Sequence, residues 1–250
     1  MKKSINNPNI VIFASKSIGL DIIVWLLQKN YPISAIFFIG NYKPEIKKIC
    51  NDNNIFFFTL NKKNIDNYFN KFKTCNWLLS LWNPYIFNES ILKKCKNTLN
   101  IHPSYLPYSR GADTAAWTII KNYTAGVSLI TINKKIDTGK IWAQKKIKYQ
   151  FPISGHELYN IMQIELIKLF KKKWNSIYSK KIKPQKQKNI LKVYTRLHTN
   201  KNKLIKSSRK MKVKNFINLI LAHDFKDTSS ALIEDGKKIY KITLNLKKII

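Results

Sequence analysis

The sequence predicts an α/β protein: a mostly parallel sheet with helices on both faces, plus a small C-terminal appendage that contains a β-hairpin. Two observations lead to this fold class. From Ile10 to Tyr178, short apolar runs alternate with helical patterns, as in βαβ units. A Lys-, Gln- and Pro-rich segment follows, and beyond it two strand patterns flank an Asp235-Gly236 turn.

The predicted strands of the sheet are short and apolar, as buried parallel strands are. They cover residues 10–14, 33–39, 55–59, 77–81 and 98–102, followed by a strand pair at 127–132 and 141–147. In such Rossmann-like sheets, ligands sit at the carboxyl ends of the strands, here the loops after Ala14, Leu81 and His102. No G-x-G-x-x-G pattern occurs, so a dinucleotide is not indicated.

Helical patterns connect these strands. They are predicted at 20–29, 44–51, 65–72, 88–96, 113–121 and 154–178, with one more at 213–222 in the appendage. We expect a turn from Ser15 to Gly19 and a capping box formed by Ser154 and Glu157. These elements predict a catalytic domain over residues 1–178, a linker over 179–189 and the appendage over 190–250.

The formal net charge of +33 would usually indicate a nucleic acid or an anionic surface as partner. Only three of the 46 basic residues are arginine, however, and Lys, Ile and Asn, whose codons are A/T-rich, are all frequent. Arginine is the commoner reader of phosphate and guanine. Compositional bias is therefore favoured over a selected basic surface, although the charge should still attract an anionic substrate.

The cysteines and the apolar runs bear on localisation. Cys50, Cys75 and Cys95 are far apart in sequence and form no C-x-x-C pair, which predicts neither a disulfide framework nor a zinc site. The stretch from Leu20 to Leu27 is interrupted by Asp21 and is too short to span a bilayer. We therefore expect a soluble cytoplasmic protein that binds no metal and no membrane.

Three polar residues form a candidate catalytic group. Asn100 and His102 are two apart on one predicted strand, so both side chains leave the same face at its carboxyl end. Asn can donate to a developing oxyanion, and His can move a proton or donate when charged. Asp137, in a loop that contains glycine, is one candidate for the carboxylate that would hold the imidazole. Each residue is weak evidence by itself, but together they fit acyl transfer.

The motifs around these residues resemble a known family. They are Leu-Asn-Ile-His-Pro-Ser-Tyr-Leu-Pro at 99–107, Arg-Gly-Ala at 110–112, Trp117, Gly-Val at 126–127 and Ile-Asp-Thr-Gly-Lys-Ile at 136–141. Over residues 10–178, the chain resembles the formyltransferases that use N10-formyltetrahydrofolate. That family includes glycinamide ribonucleotide formyltransferase, methionyl-tRNA formyltransferase and the nucleotide-sugar N-formyltransferases.

The resemblance implies roles for individual residues. Asn100, His102 and Asp137 would be catalytic, and N10-formyltetrahydrofolate would be the formyl donor, with no metal. The donor would lie against two loops, held largely through backbone groups, at Leu81, Trp82, Pro84, Ile86, Ile136 and Gly139. The acceptor would face Ser15, Ser104, Arg110 and Gly111, where Arg110 either contacts the substrate or anchors its loop.

The family divides by acceptor. Gly40 to Glu45 is a short loop, Asp113-Thr114 stands where the tRNA enzymes usually have a proline, and the appendage is smaller than their C-terminal barrel. These features favour a nucleotide-linked amino sugar of surface-polysaccharide (lipopolysaccharide) biosynthesis. Partners would then be folate, an anionic nucleotide-sugar and a second copy in a homodimer. Methionyl-tRNA is the alternative acceptor, and a non-catalytic RNA-binding protein on the same fold is a third hypothesis.

Overall fold

The computed structural model describes residues 9–40, 44–59, 72–226, 228–247 and 249. The chain forms two compact units, each built from three segments. The first unit comprises the chain up to His102, Leu129–Ala143 and Ile167–Gln187; the second comprises Pro103–Ser128, Gln144–Leu166 and the chain from Lys188 onward. The domain boundaries at residues 178 and 190 stay predictions. The helix predicted at 65–72 and part of the Gly40–Glu45 loop lie outside the described residues.

Seven strands form the main sheet. They are β1 (Ile10–Ser15), β2 (Ile33–Ile39), β3 (Phe56–Thr59), β4 (Cys75–Leu81), β5 (Cys95–His102), β7 (Gly126–Ile130) and β8 (Ile141–Lys146). Their order is β3-β2-β1-β4-β5-β7-β8, and the pairs β2–β3, β1–β2, β1–β4 and β4–β5 are parallel. The predicted mostly parallel sheet is thereby confirmed. Two short strands, β6 (Arg110–Gly111) and β9 (Val193–Tyr194), pair separately.

The described helices are α1 (Lys16–Gln28), α2 (Pro44–Asp52), α3 (Glu89–Lys93), α4 (Thr114–Lys121), α5 (Gly155–Tyr178), α6 (Arg196–Lys203) and α7 (Val213–His223). Asn88 caps α3 through a 2.9 Å bond from the amide of Ile91. The predicted capping box of α5 is present, since Glu157 accepts from the Ser154 amide and Ser154 accepts from the Glu157 amide.

The predicted turn from Ser15 to Gly19 is wrong, because α1 begins at Lys16 directly after β1. Lys16 has a left-handed φ of 57°, which completes the reversal from strand to helix in one residue. Gly19 then packs against β1 and β4, where a Cβ would come within 3.0 Å of the Leu81 carbonyl oxygen. Gly19 therefore permits helix α1 to approach the sheet closely; it does not form part of a loop.

The core of the first unit explains the continuous apolar runs. All six residues of β1 are buried, which is why the strand shows no polar alternation. On one side, Phe13 and Phe37 stack with ring centroids 4.6 Å apart. Trp77 of β4 meets Trp174 of α5 edge-on, with ring centroids 5.0 Å apart. Such aromatic pairs bury large apolar areas and fix the strands against their covering helices.

Cys75 and Cys95 are neighbours although they are 20 residues apart. They are paired across β4 and β5, with their sulfur atoms 3.1 Å apart, and both are free thiols. The hydrogen bond with Cys95, together with burial, raises the pKa of the Cys75 thiol. Both thiols sit at the amino ends of their strands, opposite the carboxyl ends at Leu81 and His102.

The C-terminal part of the second unit contains a three-stranded sheet of β10 (Leu204–Lys206), β11 (Ala231–Asp235) and β12 (Lys238–Ile242). β11 and β12 are antiparallel around Gly236, whose φ is +58°, so the predicted hairpin is confirmed. β10 pairs parallel to β11 and was not predicted. Ile205 of β10 forms one core cluster with Leu219 and Ile220 of α7 within the same unit. None of the described helices combines the length and the apolarity needed to cross a membrane.

Candidate active site

The carboxyl end of β5 presents the first two candidate residues. His102 is 4% exposed and Asn100 is half-buried, while Ile101 between them is buried in the opposite face. Asn100 is paired with Ser80, the residue before the last one of β4. Asn100 therefore lies level with the carboxyl end of β4. The Asn100 side chain makes no hydrogen bond with the described residues. Its amide is therefore available to donate to a bound molecule.

The loop between β7 and β8 carries Asp137. Two hydrogen bonds of 2.8 Å join the two ends of this loop: Thr131 N donates to Lys140 O, and Lys140 N donates to the Thr131 hydroxyl. A Cβ on Gly139 would lie 1.6 Å from the Thr131 carbonyl oxygen, so only glycine permits this approach. Asp137 has a left-handed φ of 50°, a conformation that Asp tolerates better than most residues. The loop is thus folded tightly on itself.

This loop brings Asp137 to His102. The Nδ1 atom of His102 lies 3.5 Å from Oδ1 of Asp137, and the two side chains are only 6% and 12% exposed. Nε2 of His102 is buried and has no hydrogen-bond partner among the described residues. The carboxylate therefore orients the ring by one nitrogen and leaves the other nitrogen for a ligand.

The loop after β4 holds four of the residues predicted to bind the cofactor. Leu81 is buried at the strand end, and Trp82 follows with a left-handed φ of 62°. The side chain of Asn83 shapes the next residues, accepting from Tyr85 N and donating to Tyr85 O, each at 3.1 Å. Pro84 is exposed, and Ile86 is 66% exposed. An exposed apolar side chain on a fixed loop suits contact with a flat ring.

The other two predicted cofactor residues flank Asp137. Ile136 is 41% exposed and Gly139 is buried. Lys134 of the same loop forms an ion pair with Glu89 at the start of α3, 3.9 Å apart. The Asp137 loop and the segment after β4 therefore lie at the same edge of the sheet.

Of the four residues predicted to face the acceptor, Ser15 lies in the first unit, and the other three lie in the second: Ser104, Arg110 and Gly111. In the first unit, the Ser15 hydroxyl donates to the carbonyl of Trp82, which ties the end of β1 to the loop after β4. In the second unit, Ser104 is fully buried and its hydroxyl has no hydrogen-bond partner among the described residues. Its carbonyl accepts a 2.6 Å bond from the Ser128 hydroxyl.

Arg110 and Gly111 are held in the second unit by β9. Arg110 is 4% exposed and donates to the Leu191 carbonyl, which supports the anchoring role over direct contact with a substrate. Gly111 has a φ of +96°, and a Cβ there would lie 2.1 Å from the Tyr194 carbonyl oxygen. A contact between either residue and the acceptor stays a prediction.

Sequence reasoning missed one residue that contacts the site. Gln187, in the segment predicted as a linker, donates from Nε2 to the carbonyls of Asp137 and Gly139 at 2.9 and 2.8 Å. No local sequence pattern could have shown this, because the partners are 50 and 48 residues away.

The residues of this edge fit a formyl donor. Among the residues that the structure describes, Nε2 of His102 has no hydrogen-bond partner and the Asn100 amide is available to donate, while the side chains at 86 and 136 are apolar and exposed. A polar carbonyl attached to a flat ring system requires such groups. Among the described residues, no three His, Cys, Asp or Glu side chains are grouped to hold a metal ion.

The chain is similar in sequence to known formyltransferases. Residues 49–164 match the formyl transferase family. A methionyl-tRNA formyltransferase from Malacoplasma penetrans is 24% identical over 220 residues, which are 80% of this chain and 69% of that protein. The chain spans only 26% and 33% of two other methionyl-tRNA formyltransferases that it matches.

Two solved structures share nearly the whole fold. A sugar N-formyltransferase from Shewanella superposes with a TM-score of 0.76 and 15% identity, covering 97% of this chain and 99% of that one. An N-formyltransferase from Helicobacter canadensis, in complex with folinic acid and dTDP-3-aminofucose, gives a TM-score of 0.72 and 22% identity, covering 97% and 90%. Residues 49–164 therefore carry a formyl transferase domain, and the chain shares its fold with solved N-formyltransferases.

Proposed function

We propose that this protein transfers a formyl group from N10-formyltetrahydrofolate to the amine of a nucleotide-linked amino sugar, in the cytoplasm, for a surface polysaccharide such as lipopolysaccharide. The observation that carries the chemistry is the His102–Asp137 pair. Nε2 of His102 is buried, has no hydrogen-bond partner among the described residues and lies at the same strand end as Asn100. Groups fixed in this way before the substrate binds are what an oxyanion requires.

Each of the three residues has a distinct role in this proposal. When bound, the donor would supply a formyl group on its N10 nitrogen. The neutral amine of the acceptor would bond to the formyl carbon, the bond between that carbon and N10 would break, and the amine proton would pass to N10 of the departing tetrahydrofolate. Asn100 donates from its amide to the formyl oxygen as negative charge develops there. His102, when protonated, donates from Nε2 to the same oxygen. Asp137 holds His102 through Nδ1 and helps to move the amine proton through water.

The acceptor is proposed from the second unit and from the solved structures. The C-terminal part of this unit is a three-stranded sheet with a hairpin, smaller than a barrel. The sugar N-formyltransferase from Shewanella has nearly the same extent as this chain, with 97% and 99% of the two chains superposed. A nucleotide diphosphate would be attracted by the net charge of +33.

Methionyl-tRNA is the second candidate, favoured by the relative from Malacoplasma penetrans. The net charge does not separate the two acceptors, because a polycation binds any polyanion weakly. Turnover must therefore decide.

The deciding experiment measures formylation of methionyl-tRNA and of several UDP-, dTDP- and GDP-linked amino sugars, at equal enzyme concentration and near-physiological salt. Products are detected by mass spectrometry, and His102→Ala serves as the control for contaminating activity. We expect one amino sugar to be formylated efficiently. Efficient formylation of methionyl-tRNA, with no sugar modified, would establish the alternative. Salt-sensitive RNA binding without any transfer would indicate a non-catalytic protein.

A further inference from the structure

Gln187 reaches the Asp137 loop from the segment that follows α5. Its single amide group donates to two carbonyls of that loop, those of Asp137 at 2.9 Å and Gly139 at 2.8 Å. Both hydrogens of the NH₂ group are thus used, one on each side of Thr138. The bonds attach to the carbonyls of the Asp137–Thr138 and Gly139–Lys140 peptides, so they restrain the backbone from which the Asp137 side chain extends.

The orientation of the Gln187 amide is fixed by its surroundings. Oε1 is buried and has no hydrogen-bond partner among the described residues. Exchanging Oε1 and Nε2 would set an oxygen against two carbonyl oxygens, which is repulsive and loses both bonds. Only the donating orientation is therefore compatible with the loop.

The segment that presents Gln187 is itself fixed. The backbone of Gln185 exchanges two bonds with Ile141, the first residue of β8, at 2.7 and 2.8 Å. Gln187 therefore extends from a backbone segment that is hydrogen-bonded to Ile141, the residue after the Thr131–Lys140 pair that closes the loop.

We propose that Gln187 is a positioning residue for Asp137. By holding the two carbonyls, it keeps the left-handed conformation of Asp137 and with it the 3.5 Å contact to His102. The proposal rests on the proposed function, in which Asp137 orients His102. Gln187 would not touch either substrate, so its effect should act on turnover and depend on Asp137.

Three variants separate hydrogen bonding from side-chain size. Gln187→Met keeps the length but removes the donors, Gln187→Glu keeps the shape but offers only acceptors, and Gln187→Lys restores donors at similar reach. Gln185→Met is the matched control, since the Gln185 side chain is exposed and only its backbone contacts Ile141.

The first measurement does not depend on activity. Hydrogen–deuterium exchange over residues 131–141 should be about tenfold or more faster in the Met and Glu variants, because two hydrogen bonds are lost. The Lys variant should approach the wild type, and Gln185→Met should match it. Unchanged exchange in the Met and Glu variants overturns the proposal. Should the Met variant fail to fold, the Lys and Glu variants carry the same comparison.

The second measurement is a double-mutant cycle with Asp137→Asn. In the wild-type background, Gln187→Met should lower kcat by about tenfold or more while the KM of the acceptor changes little. In the Asp137→Asn background, it should have almost no further effect, because the group that it positions is already lost. Equal losses in both backgrounds would show that Gln187 acts independently of Asp137. If the wild type itself transfers no formyl group, the proposed function fails, while the exchange measurement still tests the role of Gln187.

Discussion

His102 and Asp137 are 35 residues apart in sequence, yet Nδ1 of one lies 3.5 Å from Oδ1 of the other in a largely buried contact. The contact depends on two independent pieces of backbone, the end of β5 and the closed loop between β7 and β8. Such a pair can be disturbed from either side, by changing a charge or by changing the loop.

Asp137→Asn tests the charge. The amide keeps the shape but removes the carboxylate that orients the His102 ring, so turnover should fall by about a hundredfold or more. The ring ¹⁵N spectrum of His102 should also change, because Asn can donate to Nδ1 where Asp only accepts. Asp21→Asn, which neutralises an exposed carboxylate on α1, is the control and should leave turnover nearly unchanged. Normal turnover in the Asn variant would contradict the role of Asp137.

Asn100→Ala and His102→Ala test the strand end. Both variants should fold and lose most formyl transfer, since loss of one oxyanion donor typically costs about a hundredfold or more in turnover. Asn97→Ala is the control on the same strand: the Asn97 side chain bonds to the carbonyl of Asn76 and has no part in the site. Circular dichroism checks the fold, and kcat with a working acceptor is the readout. Near-normal kcat in both site variants refutes the assignment.

Gly139→Ala tests the loop. An added Cβ would lie 1.6 Å from the Thr131 carbonyl oxygen, so the loop must open and Asp137 must shift away from His102. We expect turnover to fall by about tenfold or more, with faster hydrogen exchange over residues 131–141. Gly236→Ala is the control for backbone strain alone: its φ is +58°, but no described atom lies within 4 Å of the added Cβ, so it should lower stability without lowering turnover. Unchanged turnover and exchange in the Gly139 variant would mean that the loop geometry is unimportant.

The sequence predicted the elements of the sheet better than their boundaries. A continuous apolar run such as Ile10–Ala14 identifies a buried strand, and Asp235-Gly236 identifies a hairpin turn, because each is encoded by adjacent residues. The start of α1 was misplaced because a single left-handed residue, Lys16, replaced the expected turn. Helix α6 was missed because its sequence has no apolar periodicity; its start is fixed by hydrogen bonds between Thr195 and His198.

In the site, too, features encoded by neighbouring residues could be predicted, whereas contacts between distant residues could not. Asn100 and His102 could be found because a strand places alternate residues on one face, which is a local rule. The part played by Asp137 needed the family resemblance, since nothing in its own loop points to a histidine. Gln187 could not be found at all, because a side-chain bond to two distant carbonyls leaves no trace in composition or spacing.

The last prediction concerns His223, which is 2% exposed at the end of α7. Its pKa is lowered to about 4, chiefly by burial and then by the positive charge of Lys203, while Asp113 acts in the opposite direction. Above the ordinary histidine pKa of roughly 6.5, the ring is neutral in both the folded and the unfolded chain and contributes no pH dependence. Between that pH and about 4, only the unfolded chain takes up the proton, so stability falls as the pH falls.

The loss from this one group should approach about 3 kcal/mol below pH 4. Urea unfolding at several pH values between 7.5 and 4.5 measures it, as the difference between the wild type and His223→Gln, since other titrating groups are common to both. The free energy of unfolding of the wild type minus that of His223→Gln should decrease steadily as the pH falls. Lys203→Met should weaken the pH dependence by removing a nearby positive charge, and Asp113→Asn should strengthen it. A difference between wild type and His223→Gln that stays constant over this range would show that His223 accepts its proton as readily in the folded protein as in the unfolded chain.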